Sequence, residues 1–294
     1  MKALVIAENA DAARELCAGA RTLADEVVLV TLADAPEGVA DKVARVEVPA
    51  GHAADDAADT VIAVFDAQAP QVVLAQASRH VKTIVGRLAW HAGTAAITDV
   101  TAITAEGGAS LYFGGVGERV QAAQGPVAVY TVAPGTFAEA APSGANEPLE
   151  AAWVEPARAL RVTASAPVEK SGVDLTKATA VVAAGRGFTE EGQPDLARAL
   201  CDKTGAGLAC SRPLTEGVNW LPSELYVGVS GLMLSPKAYV AVGISGQMQH
   251  MVGCNRSQVV FAINKDKNAP VFKQCDYGLV GDLKTVLPAL TAAL

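Results

Sequence analysis

At 294 residues the chain is long enough for two domains of ordinary size, each able to bury a core. A composition of 51% apolar and 18% charged residues excludes a disordered chain. The net charge of −8 argues against a nucleic-acid binder, because phosphate contacts need a basic surface.

No apolar run approaches the roughly 20 residues of a membrane helix. Residues 1–9 read as an opening strand, without the shape of a secretory or transit segment. Cys17, Cys201, Cys210, Cys254 and Cys275 are scattered with no CxxC pair, which suits reduced, buried thiols in a cytoplasmic protein.

In chain order, residues 2–7 read as a strand, 11–23 as a helix and 27–32 as a second strand. A short third strand is expected at 45–48, a helix at 55–67 and a buried strand at 72–75. This alternation implies a parallel sheet with helices on its faces. Ser78 is placed to cap the helix 81–91, although the polar tip Ser78-Arg79-His80 also suits an anion. His80 and His91 stand three helical turns apart, too far to chelate one metal, and read as surface or interface histidines.

From Thr94 the rhythm changes. Residues 95–103, 110–114, 118–123 and 127–132 are four short strand candidates separated by glycines, expected as an antiparallel meander with a hairpin turn at Gly107-Gly108. The glycines at 114–117 lack the lysine-serine and the helix of a phosphate loop. A proline-rich stretch, 134–167, is expected to hold one strand at 152–164. The domains are placed at 1–165 and 178–294, joined by a linker at 166–177.

In the second domain each strand ends in a polar or glycine-rich tip. Residues 178–184 lead to Gly185-Arg186-Gly187, and a helix at 191–204 stops at Gly205. Residues 207–210 lead to Ser211-Arg212-Pro213, and 225–229 to Ser230-Gly231. Residues 239–244 lead to Ser245-Gly246 and a helix at 247–252, while 259–263 lead to Asn264-Lys265-Asp266. A last helix spans 282–294. The fold class expected is α/β in two domains. The first is a mixed sheet with a parallel βαβ start and an antiparallel meander; the second is a doubly wound parallel sheet. In such a sheet the tips converge on one edge, where ligands bind. The glycines at 185 and 187 let backbone approach a ligand, and Arg186 offers a planar fork for pyrophosphate. Amides at Gly246 and Gln247, with the Ser245 hydroxyl, suit a phosphate at a helix N-terminus.

Three blocks, VGISGQMQHMVG, FAINKDKNAPVF and DYGLVGDL, closely resemble the FAD-binding signature of the electron transfer flavoprotein alpha subunit, the FixB-like family. The likeness runs from about Thr179 to the C-terminus; residues 1–160 resemble that family's first domain in layout and length. The resemblance implies FAD held without a covalent bond and assigns Arg186 to its diphosphate. Ser211 would hold phosphate or ribityl oxygens. Arg212 would set a cation against the flavin ring, unless it forms a surface salt bridge. Val227-Gly228-Val229-Ser230 stands where the family usually has Val-Gly-Gln-Thr. Ser230 therefore keeps a hydroxyl for flavin N5, while Val229 lacks the glutamine side chain.

By the same resemblance Ser245, Gly246, Gln247, Met248 and Gln249 would hold the diphosphate or ribityl chain, and His250 would face the flavin pyrimidine carbonyl. Asn264, Asp282 and Leu283 would lie on the adenine side, with Asp282 equally suited to cap the last helix. No GxSxG, HExxH or Walker lysine is present, which suits an electron carrier subunit better than a stand-alone catalyst. The resemblance further implies a heterodimer with a beta subunit contacted mainly by the first domain. It implies acyl-CoA dehydrogenase-type donors, a quinone reductase-type acceptor and a FAD domain that swivels between them. A bifurcating flavoprotein with a second FAD in the beta subunit is an alternative. A non-redox adenine-nucleotide-binding regulator is another, since the fold alone hosts many functions.

Overall fold

The structure is a computed structural model that describes residues 1–115, 117–137, 140–164, 166 and 173–294. The chain divides into two compact units, Met1–Tyr112 with Glu118–Pro167, and Phe113–Gly117 with Val168–Leu294. Part of the segment expected as linker, 167–172, lies outside the described residues.

The first unit contains β1 (Lys2–Ala7), α1 (Ala10–Leu23), β2 (Glu26–Thr31), β3 (Lys42–Arg45), α2 (Ala58–Gln68), β4 (Val72–Gln76), α3 (Arg79–His91), β5 (Ala96–Thr104), β6 (Gly107–Tyr112), β7 (Gly117–Gln121), β8 (Ala128–Val132) and β9 (Glu147–Pro148). They form one sheet in the order β7-β6-β5-β8-β4-β1-β2-β3-β9. The period-two alternation of β1 explains its two buried faces. Ala3, Val5 and Ala7 join Leu16, Cys17 and Ala20 of α1, while Leu4 and Ile6 join Val61 of α2 and Ile84, Val85 and Leu88 of α3. Ser78 caps α3 through the Val81 amide. His80 and His91 pair with Asp55 and Asp66 at the surface.

Four expectations for this unit are corrected. Residues 127–132 do not close a meander: β8 lies parallel to both β4 and β5 inside the sheet, whereas β5 and β6 are paired antiparallel. Its residues Val129 to Val132 are buried on both faces, the pattern of a central parallel strand. Gly107 opens β6 instead of forming the turn. Its φ is +137°, and a Cβ there would stand 2.0 Å from the Gln121 carbonyl oxygen. Residues 152–164 form no strand. The Val154 amide donates to Thr60 Oγ1 at 2.9 Å and the Leu160 amide to the Asp56 carboxylate at 3.0 Å, so side chains take the bonds that a ladder would have used. The third strand also sits earlier than expected, at 42–45.

The second unit contains β10 (Ala180–Ala184), α4 (Pro194–Thr204), β11 (Gly207–Cys210), α5 (Pro213–Glu216), β12 (Ala238–Val242), α6 (Met248–Met251), β13 (Val259–Asn264), β14 (Tyr277–Val280) and α7 (Leu283–Ala293). The sheet runs β11-β10-β12-β13-β14, and every pairing is parallel. Counted from β10, the order is 2-1-3-4-5, whose switch point falls between β10 and β12. Both faces are covered. Leu200 and Cys201 of α4 and Leu287 of α7 pack on Val182, Ala184, Val242 and Ile263. Met251, Cys254 and Val271 pack with Tyr239, Ala241 and Ala262 on the opposite side.

Residues 225–229 are not the expected sheet strand. The Val227 amide extends β11 by one bond to Cys210, and the chain then folds back through Gly228 to Leu232. The fifth strand is β14, short and exposed at the edge, with a glycine and no alternation to mark it. The helix expected at 247–252 is a single turn, so it brings backbone amides to the site without an appreciable helix dipole.

Candidate functional site

The ends of β10, β11, β12 and β13, with the start of α7, border a cleft of about 1210 Å³ over the switch point. Ordinary small-molecule pockets span roughly 300–1,000 Å³, so this one suits an extended ligand. The geometry begins with glycine packed on glycine. The Gly185 amide donates to the Val242 carbonyl and the Gly187 amide to the Gly243 carbonyl, both at 2.8 Å. A Cβ on Gly185 would lie 2.4 Å from the Gly243 oxygen, and one on Gly187 2.7 Å from the Gly243 Cα. These glycines therefore let the two tips cross, and Gly187 also lines the cleft. The buried Phe188 anchors the turn. Arg186 is left exposed on the cleft wall with no hydrogen bond or ion pair among the described residues.

At the next tip Ser211 is buried and its amide bonds to the Ala184 carbonyl at 2.9 Å. Arg212 lines the cleft too, but its Nε donates to Glu216 Oε2 at 2.5 Å one turn along α5. That hydrogen bond and charge raise the guanidinium pKa further. Arg212 thus forms the salt bridge weighed as the alternative reading of the sequence, and does so inside the cleft.

After β12, Ser245 accepts the Val271 amide at 3.0 Å, and Gly246 turns with φ +85° against the backbone at 270–271. A Cβ on Gly246 would meet the Val271 nitrogen at 2.2 Å. The amides of Gly246 and Gln247 have no acceptor among the described residues. Ser245, Gln247, Met248, Gln249 and His250 line the cleft. His250 is buried and its Nε2 lies 2.9 Å from the Tyr239 hydroxyl, whereas Nδ1 has no hydrogen-bond partner among the described residues. Burial pushes the imidazole pKa down from 6.5 to about 4, and the Val227 backbone beside the ring opposes this.

The remaining residues singled out in the sequence divide. Val229 lines the cleft, half exposed, with its amide on the Gln249 carbonyl. Val227, Gly228, Ser230 and Gly246 are not part of the lining. The Ser230 hydroxyl lies 3.3 Å from the Tyr226 hydroxyl. Asn264 lines the cleft, but its amide braces the protein, donating to the Ile244 carbonyl at 2.9 Å and accepting from Asp266 at 3.0 Å. Asp282 caps α7 through the Lys284 amide, and Leu283 is core beneath Gly243. The sequence reading missed Glu216 and Lys284, which also line the cleft. Glu216 was marked by its i,i+4 spacing from Arg212; nothing local marked Lys284.

The lining holds four cations, Arg186, Arg212, Lys265 and Lys284, against three carboxylates, Glu216, Asp266 and Asp282. This local excess of positive charge, in a chain of net charge −8, favours an anionic ligand. An unpaired arginine, free backbone amides and a buried, unpartnered imidazole nitrogen fit a ligand with a diphosphate at one place and a polar ring edge at another.

A parallel 2-1-3-4-5 sheet carrying such a cleft at its switch point defines a nucleotide-binding protein of the doubly wound α/β class. Residues 174–255 match the family model described as the electron transfer flavoprotein FAD-binding domain, and residues 3–157 match the electron transfer flavoprotein domain. Protein FixB of Escherichia coli O127:H6 (strain E2348/69 / EPEC) is 40% identical over 293 residues, covering 95% of this chain and 94% of that protein. Protein FixB of Escherichia coli O81 (strain ED1a) is 44% identical over 229 residues, covering 76% and 73%. The chain belongs to the electron transfer flavoprotein family as an alpha-type, FixB-like subunit, and it binds FAD. The first-domain match extends the likeness to residues whose sequence offered only a similar layout. Among the described residues no helix is long and apolar enough to cross a membrane, and no group of side chains is arranged to hold a metal ion.

Proposed function

We propose that this protein is the FAD-holding subunit of a heterodimeric electron carrier, which takes electrons from acyl-CoA dehydrogenase-type donors and passes them to a quinone reductase-type acceptor. The observation that carries the reading is the set of unengaged groups around one cleft: Arg186, the Gln247 amide and His250 Nδ1. FAD supplies the reversible electron chemistry. Arg186 and the amides at 246–247 would grip the diphosphate. Ser211, Ser245 and Gln249 would hold the ribityl and phosphate oxygens. His250 and Arg212 would lie against the flavin, where a donor and a cation favour its electron-rich form. Asp282 and Asn264 would shape the adenine end through the backbone they brace. A beta subunit would contact mainly residues 1–165.

Co-purification with a neighbouring beta-like subunit, followed by a flavin assay and a redox titration, tests this. One FAD per heterodimer, reduced by an acyl-CoA dehydrogenase, is expected. Two FAD per heterodimer with NADH oxidation would replace simple transfer with bifurcation. A purified complex without flavin would overturn the reading.

A further inference from the structure

We propose that Tyr239 is a positioning residue for His250: its hydroxyl donates to Nε2, keeps the ring proton on Nδ1, and so holds that donor ready for the ligand of the cleft. The inference rests on the reading that His250 faces the flavin.

Tyr239 is the second residue of β12, and its side chain is wholly buried in the layer that holds Ala241, Met251 and Cys254. Nothing in its apolar surroundings calls for a hydroxyl, since phenylalanine would fill the same space. A buried tyrosine hydroxyl nevertheless finds a partner. One acceptor is within reach, His250 Nε2 at 2.9 Å, with the Cys254 thiol packed in the same layer. A thiol is a weak donor and a weak acceptor, whereas a neutral imidazole presents one nitrogen as a true acceptor. The O–H therefore points to Nε2.

The tautomer follows from this order. With Nε2 accepting, Nδ1 carries the proton. That nitrogen is buried and has no partner among the described residues, while the ring it belongs to lines the cleft. A buried donor left unmet is unfavourable, and an acceptor on a bound ligand would relieve it.

The neighbouring groups leave the pair neutral. Burial holds His250 at a pKa of about 4, raises the Cys254 thiol to about 12, and keeps Tyr239 well above its ordinary 10. From the cleft side the charged residue of the adjacent tip is Arg212, already paired with Glu216. Tyr239 and His250 thus form a neutral hydrogen-bonded pair whose orientation is set at its buried end.

The test is ¹⁵N NMR of the imidazoles in the FAD-loaded protein, with the His250 signals identified among the four histidines by their loss in His250→Gln. In the unsubstituted protein Nδ1 should be protonated and Nε2 should show the shift of a hydrogen-bonded acceptor. A proton on Nε2 would overturn the proposal without recourse to any variant. In Tyr239→Phe the Nε2-protonated form should become substantially populated. The flavin potential should fall by about a tenfold change in the one-electron equilibrium, or 59 mV, with FAD retained. An unchanged tautomer and potential in Tyr239→Phe would also overturn it. A wild-type potential in His250→Gln, beside a switched tautomer in Tyr239→Phe, would support the Tyr239–His250 assignment and overturn the placement of His250 at the flavin.

Discussion

Arg186 and Arg212 bring the same charge to one cleft, yet their surroundings separate them. Arg186 has no protein partner among the described residues, so a diphosphate would meet an uncommitted guanidinium. Hydrogen bonds to charged groups are worth about 1.5–3 kcal/mol, so Arg186→Ala is expected to weaken FAD retention about tenfold to a hundredfold. FAD occupancy after extended dialysis measures this, and full occupancy would remove the arginine from the diphosphate. Arg212 is already tied to Glu216, and both side chains are more than half exposed, so solvent screens the pair. Arg212→Ala should lower the flavin potential, whereas Glu216→Gln should raise it by releasing the cation. Equal potentials in both variants would exclude this pair from tuning. The arginines were legible in the sequence because each follows a strand and a small residue. The Tyr239 hydroxyl was not, because it sits inside an apolar run that reads only as a buried strand.

Elements came out of the sequence well wherever a cap or a period marked them. The Ser78 and Asp282 caps are both present, since a side-chain oxygen before a helix answers the unmet amides of its first turn. Strands set by context were less visible. β14 pairs only because β13 lies beside it, and 225–229 leaves the sheet after one bond because Gly228, at φ +149°, folds the chain back. The contact of two tips gives an element-scale prediction. Gly185→Ala places a methyl 2.4 Å from the Gly243 oxygen, so the ends of β10 and β12 must part. Overpacking of this kind costs about 1–3 kcal/mol, and the same movement should loosen FAD. Thermal unfolding with and without FAD checks both effects; an unshifted midpoint would show that the crossing yields freely. Asp282→Ala should cost about 1 kcal/mol as a lost cap, and Asp282→Asn should restore it. Restored stability with FAD affinity still reduced would point to a carboxylate contact beyond the cap.

For the molecule as a whole, the α/β alternation and the parallel second sheet were readable because buried parallel strands leave short apolar runs ended by polar tips. The place of β8 between β4 and β5 was not, since strand order depends on crossovers that local pattern does not encode. The cleft that this topology creates also sets a pH dependence. His250 has an ordinary pKa of 6.5 when unfolded and about 4 when folded, because burial disfavours its charge. Between those values the unfolded chain binds a proton that the folded unit refuses, so stability rises with pH. The contribution is complete above pH 6.5 and is lost as pH falls towards 4, amounting to about 3 kcal/mol over the window at roughly 1.4 kcal/mol per pH unit. Glu190 of the same unit, held below the usual range first by its hydrogen bond from Lys284, adds the same sign only at the acid end. Hydrogen exchange of the β12 amides in the FAD-free protein, corrected for intrinsic rates, should therefore show protection falling from pH 6.5 to 4. His250→Gln should flatten that fall while leaving its acid end. An identical slope in the variant would mean that His250 is not the group kept neutral, and that the second unit owes its acid sensitivity to carboxylates alone.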